Sequence, residues 1–175
     1  SLGPARRDPA PASGMSQSAP DGARWLREAT ATRDIERLKP NMAAAGERIN
    51  DARRHVTSAR ALADCDVTLA LAACHDAIRK AITAHMNAPG YRQRSGEGAH
   101  RIVLDYARHE LAGVLTDEDL TASDSIRRDR AIAEYGEFAS RQITADHVRW
   151  AATVAERVVN AVASTLASRP PPPRP

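Results

Sequence analysis

The residues best placed to do chemistry lie in one short stretch, Ser123 to Tyr135, which reads SDSIRRDRAIAEY. It carries Arg127, Arg128 and Arg130, then Glu134 and Tyr135. A planar guanidinium donates hydrogen bonds in pairs and matches phosphate, so the three arginines are the candidate RNA- or phosphate-binding residues. On a helix, residues seven apart share a face, which puts Arg128 and Tyr135 side by side. Breaking a phosphodiester without metal needs a cation to hold the phosphate and a group to move protons. Arg128 supplies the first, and Glu134 and Tyr135 are the nearby candidates for the second. An unshifted tyrosine titrates near about 10 and is a poor base at neutral pH. One residue step turns a helix by about 100°, so only one of Glu134 and Tyr135 shares the face of Arg128 well. The competing reading is a solvated helix face, the usual fate of charge runs.

Other constellations are weaker. Of six histidines (His55, His75, His85, His100, His109 and His147), no two are four apart, so the paired-histidine metal pattern is missing. Glu97 and His100 form a single Glu-x-x-His at a loop-to-helix junction, with no second copy to complete a bridged metal site. Cys65 and Cys74 are nine apart, which matches neither a metal box nor a redox pair, and they read as reduced thiols of a cytoplasmic protein. No phosphate-cradling glycine loop or nucleophile elbow occurs, and no cofactor is implied. Asp117, Glu118 and Asp119 read as a short solvated acidic turn.

These residues need a scaffold, and the composition points to helices. The chain has 175 residues, 42% hydrophobic, 27% charged and only 3% aromatic, with a net charge of +3. That suits one domain packed by small side chains and is only mildly basic. Its cations are 23 Arg and two Lys. No apolar run approaches a membrane span. Met42, Ala45, Ile49, Ala52, Val56, Ala59 and Ala63 mark one apolar stripe on a long helix. Before it, Trp25 and Leu26 open a short helix whose apolar pattern continues through Ile35 and Leu38 to Pro40. Further helices are expected at about 66–87, 98–115, 123–135 (ended by Gly136) and 145–168, with a loop over 87–96. The expected fold is all-α, an antiparallel bundle of five to six helices over 22–168. Residues 1–21 read as a disordered extension and 169–175 as a proline-rich tail.

With these residues in place, the segment 42–168 resembles a HEPN domain, the helical-bundle family of prokaryotic toxin–antitoxin, defence and RNA-processing systems. The resemblance rests on three pieces: INDARRHVTSARALADCD running into VTLALAACHDAIRKAITAHM; the Gly-Tyr-Arg loop and Gly-Glu-Gly-Ala-His-Arg within 90–101; and SIRRDRAIAEYG followed by ITAD. The family signature is Arg, a polar residue, three variable residues, His, one residue and often Tyr. Arg128, Asp129 and Tyr135 match it, but Ala133 stands at the histidine. An alternative register runs from Arg130 to Tyr135, with tyrosine at the histidine position. The resemblance implies a homodimer whose two motifs face one cleft, with RNA, a nucleotide or a partner protein as ligand. A nucleotidyltransferase-type antitoxin is one such partner. The missing histidine implies binding without full ribonuclease activity. Two alternatives stay open. One is an active metal-independent endoribonuclease using Glu134, Tyr135, His75, His100 or His147. The other is a structural or regulatory module whose arginines pair with Asp124, Asp129 or Glu134.

Overall fold

The computed structural model describes residues 18–96, 98–135 and 143–169, with backbone alone for 18–21 and 135. Six helices stand among the described residues: α1 (Ser18–Ala31), α2 (Met42–Leu62), α3 (Val67–Asn87), α4 (Ala99–Glu110), α5 (Asp117–Tyr135) and α6 (Ala145–Ala167). The expected all-α bundle is the observed class. Among the described residues, no helix is long and apolar enough to cross a membrane.

The centre is α3. From Ala70 to Met86 most of its residues are buried, and Asp76, Arg79 and Lys80, three or four residues apart, make up its polar face. It packs on α2, α4, α5 and α6. Alanine makes this close approach possible: Ala45, Ala52 and Ala59 on α2 and Ala70, Ala77 and Ala81 on α3 are all fully buried. The helices start where side chains accept orphan backbone N–H groups. Asn41 caps α2, Asp66 caps α3 and Thr144 caps α6. A short connection turns α2 back into α3, and Asp51 on α2 meets Lys80 on α3 at 3.3 Å, the crossing expected of an antiparallel pair.

Several sequence expectations change. Helix α1 begins at Ser18, inside the stretch read as an extension, and ends at Ala31. Arg33 then takes a φ of 63°, which no right-handed helix passes through, and Ile35–Arg37 continues as strand β1 rather than helix. The loop over 87–96 contains strand β2 (Tyr91–Gln93), antiparallel to β1 with Ile35 opposite Gln93. Helix α4 stops at Glu110, not near 115, and Gly113 has a φ of 84° in the turn that follows. Helix α5 starts at Asp117, so the acidic residues form its first turn, where the helix dipole favours them. Thr116 Oγ1 accepts from the Asp119 backbone N–H there. Asp119 is itself buried and bonded by Arg157 of α6 at 2.7 Å, which corrects the reading of a solvated turn. Gly136 lies outside the described residues.

A buried polar network closes the end of the bundle where α3, α4 and α6 meet. His85 Nδ1 lies 2.8 Å from the Tyr106 hydroxyl, and an Arg169 nitrogen lies 2.9 Å from His85 Nε2. A guanidinium can only donate, so Nε2 accepts and Nδ1 carries the hydrogen. Trp25 of α1 stacks on His109, ring centroids 5.5 Å apart, and covers this network from outside.

Candidate functional site

Helix α5 presents its arginines already paired. Arg127 and Arg128 reach Asp124 at 3.0 and 3.6 Å, and Arg130 reaches Glu134 at 2.8 Å. Each pair spans three or four residues, the spacing at which helix side chains meet. Arg128 is the most exposed of the three, whereas Arg127 and Arg130 lie partly against the bundle. Arg130 Nε is buried with no hydrogen-bond partner among the described residues. Asp129, the polar residue of the signature, is buried and turned away from the arginines. Its Oδ2 lies 3.0 Å from His147 Nε2 on α6. Asp129 therefore joins two helices. Ala133 is half-buried on α5, and the side chain of Tyr135 lies outside the described residues.

The structure assembles a feature on the neighbouring helices. His75 on α3 and His100 on α4 face each other with ring centroids 5.1 Å apart. Arg79 stands one turn beyond His75, bonded to Asp76 at 3.3 Å. Burial, helped by His100, pushes the His75 pKa down to about 4. Burial also lowers that of His100, and the guanidiniums of Arg79, Arg130 and Arg127 lie close enough to lower it further. Both imidazoles are therefore neutral at pH 7. His75 is buried and its Nδ1 has no hydrogen-bond partner among the described residues, whereas His100 is exposed. The cavity between them, bounded also by Ser123 of α5, is only about 10 Å³, room for one water at most. The space between the rings thus has no room for a ligand larger than water.

Three helices thus bring two imidazoles and three guanidiniums within electrostatic reach of one another. Sequence reading named Arg127, Arg130, His75 and His100 separately and did not bring them together. It missed Arg79, although the four-residue step from His75 to Arg79 on one helix face was a usable signal. His147 was a candidate for the proton-moving role, but the structure spends it on Asp129. Glu134, the other candidate base, is held by Arg130. Glu97 lies outside the described residues. Set against models of protein families, curated proteins and solved structures, the chain matches none of them.

Proposed function

We propose that this chain is a HEPN-like helical protein of a toxin–antitoxin or defence-type system that binds RNA as a homodimer, without full ribonuclease activity. One observation carries the reading: the His75–His100 ring pair, centroids 5.1 Å apart, lies within electrostatic reach of Arg79, Arg127 and Arg130, from two helices, with Asp76 the one carboxylate among the described residues acting on both rings. Guanidiniums at such a face hold phosphate in paired hydrogen bonds, and neutral imidazoles beside them donate or accept without adding repulsion. Binding of this kind releases counterions and weakens steeply with salt.

A second reading, metal-independent cleavage, is favoured by the same pair. His100 supplies an imidazole where Ala133 has none, and as an unprotonated ring it suits a general base for the ribose 2′-hydroxyl. The leaving oxygen also needs a proton donor. His75, with its pKa near 4, carries no spare proton at pH 7. A base without a matching acid supports binding over turnover.

Labelled single-stranded RNA incubated with the protein, with and without EDTA, separates the two. A shifted but intact RNA is expected. Cleavage that survives EDTA and is lost in His100→Ala would replace the first reading by the second. Absence of any shift at low salt would remove both.

A further inference from the structure

A cleft opens where β2 packs on α3 beside Arg48 of α2. An open cleft of about 470 Å³ is bounded by Arg48 of α2, Thr83 of α3, Glu36 of β1, Arg92 and Gln93 of β2, and Arg94. The antiparallel register sets Gln93 opposite Ile35, and directly opposed residues share a face. Ile35 is fully buried, so Gln93 points inward toward α3.

Three buried side-chain atoms here have no hydrogen-bond partner among the described residues: Arg48 Nε, Thr83 Oγ1 and Gln93 Oε1. Thr83 is only 2% exposed. Leaving a buried polar atom unpaired is costly, so three such atoms on one cleft call for a ligand that completes their bonding. Arg92 is satisfied by Glu36 at 2.6 Å. Arg48 and Arg94 form no ion pair among the described residues, so the cleft keeps a net charge of +2.

From this arrangement we infer that the cleft binds a small hydroxylated phosphomonoester, a sugar phosphate. A phosphomonoester carries a charge near about −2 at neutral pH, which balances Arg48 and Arg94. Gln93 Oε1 needs a donor and Thr83 takes either role, which sugar hydroxyls satisfy. Among the described residues the lining has no aromatic or aliphatic side chain, so it offers no stacking face for a nucleobase.

Isothermal titration with ribose 5-phosphate, inorganic phosphate, ribose and adenosine 5′-monophosphate tests the assignment on the full chain. Saturable one-site binding of ribose 5-phosphate is expected, with inorganic phosphate weaker, ribose undetectable and the nucleotide no tighter than the sugar phosphate. Arg48→Met and the exposed Arg94→Ala should each weaken it about tenfold, the worth of one lost charged hydrogen bond. Thr83→Val, which keeps shape but removes the hydroxyl, should weaken it less. Circular dichroism shows that each variant is folded, and Arg94→Ala remains decisive if a core variant is not. No saturable binding at millimolar ribose 5-phosphate would overturn the assignment. So would binding indifferent to both arginine variants, equal binding of ribose, or tighter binding of the nucleotide. Binding lost in Arg79→Ala but kept in Arg48→Met would place the anion beside the His75–His100 pair and overturn it as well.

Discussion

The imidazole planes of His75 and His100, carried on α3 and α4, stand 5.1 Å apart and are inclined by 57°. The pKa of each ring is lowered, with desolvation the leading cause and the nearby guanidiniums adding to it, and under the proposed function the pair forms part of a phosphate-binding face.

The Asp129–His147 contact ties α5 to α6 from a buried carboxylate. Replacing Asp129 by Ala leaves the imidazole without its acceptor, and should cost about 1–3 kcal/mol of stability. In a double-mutant cycle with His147→Ala the two losses should not add. Urea unfolding of the four proteins measures this. Strict additivity would mean that the contact does not couple the helices.

Acid should weaken the fold through its buried histidines. Burial holds the pKa of His75 and of His85 down to about 4, against an ordinary value of 6.5. The unfolded chain takes up these protons first as pH falls. The stability they contribute is therefore complete above about 6.5 and is lost as pH drops through about 4, on the order of 3 kcal/mol for each ring. Denaturant midpoints measured from pH 7 to 4 should fall, and His85→Gln should flatten that fall. An unchanged slope in the variant would contradict the buried, neutral state of His85.

Close packing around α3 should tolerate little extra volume. Ala77 is fully buried at the centre of the bundle. Ala77→Leu should destabilise by about 1–3 kcal/mol or more, because added methylenes force neighbours off their rotamers. Ile82→Ala on the same helix should cost about 2–5 kcal/mol through the cavity it leaves. Thermal unfolding of both variants checks this. A neutral Ala77→Leu would mean that α3 is less tightly enclosed than its burial indicates.

Dimerisation is expected from the resemblance, and Ile132 is an exposed apolar residue one turn from Arg128 on α5. Sedimentation velocity should show a dimer in the native protein and a monomer in Ile132→Glu. A native monomer at all concentrations would remove the shared cleft from the account.

Much of the fold was legible because it repeats. The stripe from Met42 to Ala63 and the caps Asp66 and Thr144 each act over a few residues, and the corresponding helices appear within a residue or two of expectation. Strands β1 and β2 were not legible. Each is three residues long, too short for alternation to show, and they exist only because two distant segments pair. The start of α5 was misplaced for a similar reason. Asp119 reads as solvated charge until Arg157, 38 residues away, is seen to neutralise it. The arginines of the candidate site were visible in the sequence, whereas their relation to His75, Arg79 and His100 depends on how three helices meet. The open cleft at Arg48, Thr83 and Gln93 gave no signal, since its residues come from separate elements and share no spacing.

The central claim is that Arg79 and Arg130 hold phosphate beside His100. Fluorescence anisotropy of a labelled single-stranded RNA, titrated with the native chain and with an Arg79→Ala/Arg130→Ala variant from about 50 to 200 mM salt, tests it directly. The account predicts affinity that falls steeply with salt in the native chain. In the folded variant, affinity should be weaker at every salt concentration and the salt slope shallower by roughly one to two phosphate contacts. Equal affinity and equal slope in the two proteins would contradict it.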